Sequence, residues 1–291
     1  MELLRREGHN LTVAPTDGPG AASEIARAHV ERGADLVLAA GGDGTINEVA
    51  EGLIHTGIPL GILPGGTANV LATELRLGSR PERAAARLSE LRPHRISVGQ
   101  VTCEGGAVSR HFLLMAGVGL DAHIVYQVSL PLKARTGKLA YWVAGWGMLG
   151  RRLAEFQVEL GGGQRRSSFA LVSKVRNYGG DLEIAREATL FDDQFEVILF
   201  EGRSTFPYVK YLLGVMTNRL EGMKGVTISR AKDLTFSAPS DRRIYIQVDG
   251  EFAGHLPACV KVVPDALTLL LPDDYVCLSR RTTALMDYNA G

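Results

Sequence analysis

The first ninety residues alternate between short apolar runs and longer segments with helical spacing. The runs at residues 35–40 (DLVLAA) and 59–64 (PLGILP) are almost wholly apolar, which is typical of parallel strands covered on both faces. A third run at residues 11–15 (LTVAP) also predicts a short buried strand. Apolar residues at helical spacing follow, and we expect helices at residues 22–33, 45–55, 67–75 and 80–91. This alternation predicts a parallel sheet with right-handed crossovers.

The pattern changes after about Arg95. Short alternating runs separated by turn residues follow, which predicts an antiparallel β-sandwich, and two helical stretches at residues 138–155 and 208–221 interrupt it. The predicted fold is therefore α/β with two domains: a doubly wound parallel α/β domain at residues 1–97 and a β-sandwich domain at residues 98–272. Residues 273–291 are a candidate completion of the first domain.

Composition narrows the class of protein. A chain of 291 residues fits two domains with real cores. The charges balance at 32 basic and 32 acidic side chains, which argues against a nucleic-acid partner. Three scattered cysteines, the lack of a long apolar run and a charged start predict a cytoplasmic protein.

Two glycine-rich turns follow neighbouring strands of the predicted sheet. The first contains Gly41, Gly42 and Gly44 around Asp43, and the second is LPGGTAN at residues 63–69. Such turns bring bare N–H groups to the carboxyl edge of a parallel sheet, where phosphates bind. An acid among them is explained if a magnesium ion lies between it and the phosphates. The two loops predict a nucleoside triphosphate site, and the alternative is a pair of ordinary strand–helix turns.

The loops match neither the P-loop pattern nor the dinucleotide fingerprint. GGDGTINEV and PGGTAN instead resemble the catalytic domain of the diacylglycerol kinase and sphingosine kinase superfamily. GGDGT is also shared with NAD kinases and phosphofructokinases. The resemblance implies a phosphofructokinase/NAD kinase-like first domain that uses ATP and Mg²⁺, with Asp43 as a catalytic residue. It implies ATP contacts from Thr16, Gly41, Gly42, Gly44, Thr45, Glu48, Gly65, Gly66, Thr67 and Asn69.

Two motifs of the second domain also resemble that family. AGVGLDAHIV at residues 116–125 places Asp121 near the acceptor head group, and the alternative is an aspartate that caps a helix. The acids Asp192 and Asp193 stand where relatives hold a structural magnesium ion, although Gln194 replaces the usual glycine. The alternative for this acidic pair is a solvated turn.

The stretch VDGE, Val248 to Glu251, follows an apolar strand and a tight Asp-Gly turn. The resemblance implies that Glu251 is the general base for the acceptor hydroxyl, since a carboxylate can orient that hydroxyl and take its proton. The alternative is a hairpin turn followed by a surface glutamate.

Three departures from the family bear on the nucleotide site. Relatives begin with a strand and an Asn-Pro-x-x-Gly loop, and this sequence starts downstream of them. Val70 and Ser97 stand where relatives often carry acids. These departures favour, as one alternative, a catalytically impaired lipid-binding or regulatory homologue.

The leading hypothesis is an ATP- and magnesium-dependent lipid kinase similar to the bacterial diacylglycerol kinases, with the lipid hydroxyl in the cleft between the domains. The expected partner is a lipid at the membrane surface, since the apolar helices at residues 138–149 and 206–216 carry aromatic residues suited to an interface. The alternative, which is the more common arrangement for such helices, is core packing on a sheet. We expect a cytoplasmic enzyme, peripheral to the inner face of the membrane, with a homodimer as an option. A sphingoid-base kinase or an NAD kinase-like enzyme is the alternative.

Overall fold

The computed structural model describes residues 1–119, 153–178, 182–204, 206–217, 219–239 and 242–279. The chain divides into two compact units, the first formed by Met1–Ser97 with Pro264–Gly291 and the second by Val98–Val263. Strands β3 (Arg92–Cys103) and β16 (Ala258–Leu271) each continue from one unit into the other. None of the helices in these described ranges combines the length and the apolar character needed to cross a membrane.

The first unit is built from short parallel strands and the helices that follow them. Strand β1 pairs in parallel with β2 from Val37↔Leu60 to Gly41↔Pro64, and Leu269 of β16 extends the parallel pairing on the other side of β2. The elements are α1 (Glu2–Arg6), α2 (Ala21–Glu31), β1 (Val37–Gly41), α3 (Asp43–Leu53), β2 (Leu60–Pro64), α4 (Val70–Glu74), α5 (Pro81–Ala86) and a 3-10 turn (Leu88–Glu90), with α7 at residues 273–279. The predicted parallel α/β unit is confirmed.

The predicted strand at residues 11–15 is wrong. These residues have no regular secondary structure, and Val13 is 58% exposed. A run of five residues is too short for its pattern to identify a strand, and Pro15 cannot donate to a ladder. The segment that carries Thr16 is therefore an exposed connection to α2.

The second unit is an antiparallel β-sandwich. One sheet has the strand order β12-β11-β8-β5-β14-β15. The other layer pairs the first part of β16 with β13, β13 with β6 and β6 with β7, while β3 pairs with β4. The elements are β4 (Val108–Phe112), β5 (Met115–Gly119), β6 (Phe156–Leu160), β7 (Gly163–Ser167), β8 (Phe169–Ser173), β9 (Asn177–Tyr178), β10 (Leu182–Glu183), β11 (Phe195–Phe200), α6 (Phe206–Met216), β12 (Val226–Ala231), β13 (Asp233–Ser237), β14 (Tyr245–Val248) and β15 (Glu251–His255).

The core of the second unit lies between these layers. Phe112 of β4 stacks on Phe195 of β11 with ring centroids 5.7 Å apart, and Phe156 meets Phe236 edge to face. All four rings are buried, together with alternate residues of the strands that surround them. The predicted sandwich is confirmed, and the predicted helix at residues 208–221 corresponds to α6. The predicted helix at residues 138–155 lies almost wholly outside the described residues.

Candidate active site

The two glycine-rich loops of the first unit lie against each other. The N–H of Gly65 donates to the carbonyl oxygen of Gly41 over 2.8 Å. A Cβ at Gly66 would lie 2.5 Å from Cα of Gly42, which is closer than two carbon atoms can approach. The first loop therefore leaves no room for a side chain at Gly66, because the two backbones meet where β1 and β2 end.

Asp43 links the two loops. It is the first residue of α3, and its carboxylate accepts the N–H groups of Val70 over 3.1 Å and Leu71 over 3.2 Å at the start of α4. The side chain is only partly buried, and each oxygen keeps a further lone pair. Asp43 thus caps one helix while it begins another, and it can still accept a ligand.

Asn69 closes the second loop. Its backbone is left-handed, with φ 47°, and its side chain accepts from the N–H of Gly66 and donates to the carbonyl oxygen of Gly66, both over 2.8 Å. The amide is therefore committed to holding the loop, and the same closure sets where Gly66 meets Gly42. Val70, which follows, is buried and uses its N–H on Asp43.

The other predicted ATP contacts are distributed around these loops. Thr45 lies over Gly41, since a Cβ there would come 2.8 Å from the Thr45 Cβ. Glu48 accepts the N–H of Ala22 over 3.4 Å and so ties α3 to the start of α2. Gly44 lies in the first turn of α3, and Thr67 is exposed in the second loop. Thr16 is exposed in an irregular segment.

The first loop contains one ligand of the kind that Mg²⁺ usually has in proteins. Mg²⁺ is commonly held by one or two carboxylates while phosphate oxygens and water complete its octahedron. Asp43 is the carboxylate that the loop offers. Within the described ranges no three His, Cys, Asp or Glu side chains converge, so the described residues form no all-protein cage.

In the second unit, the turn before Glu251 has the form that Asp-Gly predicts. Asp249 has φ 49° and Gly250 has φ 81°, and they join β14 to β15 with Val248 paired to Glu251. Positive φ at both central residues is the signature of a type I′ hairpin turn. The Asp249 carboxylate accepts three backbone N–H groups over 2.8–3.0 Å, from Leu113, Leu114 and Met115. The turn is therefore anchored to the segment that leads into β5.

Glu251 is the first residue after that turn and faces Arg110 of β4. An Nη of Arg110 donates to Oε2 of Glu251 over 2.8 Å, and its other Nη donates to the carbonyl oxygen of Phe252 over 3.1 Å. The two side chains are about one third exposed, at 32% and 39%. The carboxylate is thus held in place but still accessible to a hydroxyl group.

The predicted metal ligands Asp192 and Asp193 lie in a different environment. Asp192 is buried; its carboxylate accepts from Arg230 over 2.9 Å and from the N–H of Thr189 over 3.1 Å. The ammonium group of the buried Lys174 donates to the carbonyl oxygen of Asp192. Asp193 is exposed. The Asp192 carboxylate is therefore paired with an arginine, and a buried lysine lies beside the same residue.

Two groups of this buried region have shifted pKa values. Burial lowers the pKa of Lys174 from its usual 10.5 to about 8, and the carboxylates of Asp192 and Asp193 oppose that shift. Burial also raises the pKa of Glu196 on β11 to about 7, although the N–H of Glu187, a donor over 2.8 Å, favours its charged form.

Sequence reasoning did not find Arg110, Lys174 or Arg230, and Asp121 lies outside the described residues. Lys174 did leave a signal, because it is a charged residue directly after the apolar run FALVS of β8. Arg110 left none, since an arginine in a short alternating strand is normally solvated. Its role depends on a pairing across 141 residues of sequence.

The two units together define a class: a kinase-like protein with a glycine-loop α/β domain and a β-sandwich domain. Residues 1–101 match the family model of the diacylglycerol kinase catalytic domain, and residues 115–271 match that of the YegS C-terminal NAD kinase beta sandwich-like domain. The chain belongs to this family of diacylglycerol kinase-like lipid kinases.

Named relatives agree with this assignment. The chain is 29% identical over 265 residues to a diacylglycerol kinase of Bacillus subtilis (strain 168), covering 88% of this chain and 84% of the relative. It is 28% identical over 256 residues to a diacylglycerol kinase of Mycobacterium tuberculosis, covering 86% and 81%.

Two solved structures share the fold. The structure of a diacylglycerol kinase from Bacillus anthracis str. Sterne superposes with a TM-score of 0.73 at 18% identity, covering 92% of this chain and 88% of that chain. An NAD kinase from Archaeoglobus fulgidus in complex with ATP gives a TM-score of 0.54 at 13% identity, covering 97% and 91%. At these identities the likeness concerns the fold alone.

Proposed function

We propose that this protein transfers the γ-phosphoryl group of ATP to the free hydroxyl of diacylglycerol. The observation that carries the proposal is the pair of interlocked glycine loops with Asp43 at their junction, within the residues that match the diacylglycerol kinase catalytic domain. Curated relatives with the name diacylglycerol kinase cover more than four fifths of the chain. The substrate class follows from this family membership.

The first unit would bind ATP through the loops after β1 and β2. Backbone N–H groups around Gly42 and Gly44 lie where phosphates approach an α/β sheet, and α3 directs its positive end to the same edge. Mg²⁺ supplies charge neutralisation to the phosphates when it is bound, with Asp43 as its protein ligand. Asp43 also fixes the second loop against the first, so the phosphate-binding backbone is organised before the nucleotide arrives.

Glu251 would orient the lipid hydroxyl and take its proton. Phosphoryl transfer has a loose transition state, so the contribution of the protein is mainly positioning and charge stabilisation. The type I′ turn and Arg110 restrict where the Glu251 carboxylate can point. A proton acceptor held in this way favours attack without a large rearrangement of side chains.

The second unit would bind the lipid at the surface of a membrane, on the cytoplasmic side. Helix α6 exposes Leu213 and Met216, and a groove beside it is lined by Arg166, Lys210 and Lys224 as well as by Glu155 and Glu201. Exposed apolar side chains next to lysine and arginine suit an anionic headgroup layer. These features support a peripheral membrane role for the second unit.

The test is a transfer assay with labelled ATP and Mg²⁺, in which mixed micelles present diacylglycerol, a sphingoid base or no lipid, and NAD is offered separately. We expect label in the diacylglycerol product. Label in NAD or in the sphingoid base alone would overturn the assigned acceptor, and no transfer to any of them would favour the regulatory alternative.

The base is tested by Glu251→Gln, with Asp233→Asn as a matched control because Asp233 is exposed on β13 of the same unit. Loss of a positioned proton acceptor lowers rates by about 10²–10⁴-fold. We therefore expect kcat to fall in this range for Glu251→Gln and to stay unchanged for Asp233→Asn. A Glu251→Gln variant with the parent kcat would show that another group takes the proton.

A further inference from the structure

The buried ionic cluster of the second unit lies where strand β8 ends. Lys174 is fully buried, and its ammonium group donates to the carbonyl oxygen of Asp192. Arg230 of β12 donates to the Asp192 carboxylate over 2.9 Å. Glu196 of β11 is also buried, and it pairs across the strands with Ser173 on one side and Arg230 on the other. The cluster thus joins three neighbouring strands.

The charges of this cluster are already matched. Buried charges are costly unless they are paired and hydrogen-bonded. Here the Asp192 carboxylate accepts from a guanidinium and from a backbone amide, and the ammonium of Lys174 lies against the same residue. A Mg²⁺ ion needs oxygen ligands about 2.0–2.1 Å away in octahedral geometry. Such an ion would bring two further positive charges to a carboxylate that already accepts from a guanidinium, beside the buried ammonium of Lys174.

We propose that Lys174 and Arg230 supply the positive charge at the Asp192–Asp193 turn, so that the second unit holds its fold without a divalent ion. Magnesium would then serve the nucleotide loop of the first unit and not the sandwich. This inference concerns a site separate from the loops and from Glu251, and it does not depend on the identity of the acceptor.

The cluster is connected to the turn that carries Glu251. The N–H of Lys174 donates to the carbonyl oxygen of Leu114 over 2.8 Å. The N–H of Leu114 in turn donates to Asp249 over 3.0 Å, two residues before Glu251. Residues 113–115 therefore join the cluster to the Asp249 turn.

The first test is thermal unfolding of the full chain, without nucleotide, in EDTA and in excess MgCl₂. Asp193→Asn is the comparison variant, since Asp193 is exposed and its substitution leaves the buried pairs intact. An ion bound at this turn at about 100 times its dissociation constant would raise the unfolding midpoint by roughly 5–10 °C. We expect the magnesium shift to be the same, within about 1 °C, in the parent and in Asp193→Asn. A shift in the parent that is lost in Asp193→Asn would overturn the proposal.

The second test removes the buried ammonium. Lys174→Met keeps much of the side-chain volume, and Lys232→Met is the matched control because Lys232 is exposed between β12 and β13. Leaving Asp192 without one of its cations is expected to lower the midpoint by roughly 10 °C, against no change for the control. Equal midpoints for the two variants would contradict a role for Lys174. If Lys174→Met does not fold, the magnesium comparison still decides the proposal.

Discussion

Arg110 donates hydrogen bonds to Glu251 and to Phe252 at the same time. One nitrogen of the guanidinium donates to the Glu251 carboxylate over 2.8 Å, and another donates to the Phe252 carbonyl oxygen over 3.1 Å. Glu251 also directly follows the Asp249–Gly250 turn, so its backbone and its carboxylate are both constrained. Because the ion pair is partly exposed, it contributes little to the free energy of unfolding, and its main effect is to position Glu251.

Arg110 is therefore expected to affect turnover more than folding. Arg110→Gln should lower kcat by about 10–100-fold, because small misplacement of a catalytic group has effects of this size. The KM for ATP and the unfolding midpoint should stay close to those of the parent. Arg110→Lys should recover part of kcat, since an ammonium keeps the charge but not the two-pronged geometry.

The control for Arg110 is Arg165→Gln, on the exposed strand β7 of the same unit. Steady-state kinetics of the three variants separate the possible roles. An unchanged kcat in Arg110→Gln would contradict positioning, and a rise in the KM for ATP alone would mean that Arg110 acts on nucleotide binding.

Asp43 combines a structural and a chemical role that two substitutions can separate. Asp43→Asn keeps an oxygen for one of the two N–H groups of α4 and loses the charge, whereas Asp43→Ala loses both. Loss of a helix cap destabilises by about 1 kcal/mol, so only Asp43→Ala should lose stability by this amount. Both variants should lose more than about 100-fold in transfer, as expected when a charge on the phosphate–metal assembly is removed.

Urea unfolding and the transfer assay check this separation, with Glu82→Ala on the exposed face of α5 as the control. Full transfer by Asp43→Asn would show that Asp43 is only a cap. Equal loss of stability in both variants would show that the cap needs both carboxylate oxygens.

The glycine loops were predictable because their cause is local. A continuous apolar run, two glycines and a helical pattern specify a strand, a tight turn and a helix at one edge of a sheet. What the sequence could not show is that Gly65 hydrogen-bonds to Gly41 and that Asp43 caps α4, since both contacts join loops that are separated along the chain.

The sequence was enough to predict that the second unit is a β-sandwich, but it was not enough to predict the contacts of its polar residues. Alternating strands and the Asp-Gly turn specified the antiparallel layers and the position of Glu251. The partners of Asp249, Glu251 and Asp192 come from strands far away in sequence, so their identity depends on strand order and register. The wrong prediction of a strand at residues 11–15 has a local cause. A run of five residues is too short for its apolar pattern to identify a strand.

Gly66 and Gly65 form a matched pair for testing the contact between the loops. A Cβ at Gly66 would lie 2.5 Å from Cα of Gly42, whereas a Cβ at Gly65 would lie 3.4 Å from Cα of Gly41. Gly66→Ala must therefore separate the loops and should destabilise the protein by about 1–3 kcal/mol. Calorimetry should show ATP binding weakened at least tenfold in Gly66→Ala and much less affected in Gly65→Ala. Equal affinities would contradict a phosphate site built on this contact.

Glu196 predicts a pH dependence of stability with a definite sign. Burial raises its pKa from the usual 4.5 to about 7, so the folded protein binds more protons than the unfolded chain between these values. Stability contributed by this group is therefore full below about pH 4.5 and is lost as the pH rises to about 7. The shift corresponds to roughly 3 kcal/mol across that window.

Glu196→Gln keeps the size of the side chain and cannot ionise, so its free energy of unfolding should fall less than that of the parent between pH 5 and pH 7.5, by roughly the stated amount. Urea unfolding at several pH values measures this difference, with Glu159→Gln on the exposed side of β6 as the control. Because Arg230 lies across the strand from Glu196 and favours its charged form, Arg230→Gln should raise the pKa of Glu196 further and move the fall in stability to higher pH. Parallel pH profiles for the parent and Glu196→Gln would show that the pKa of Glu196 is the same in the folded and the unfolded protein.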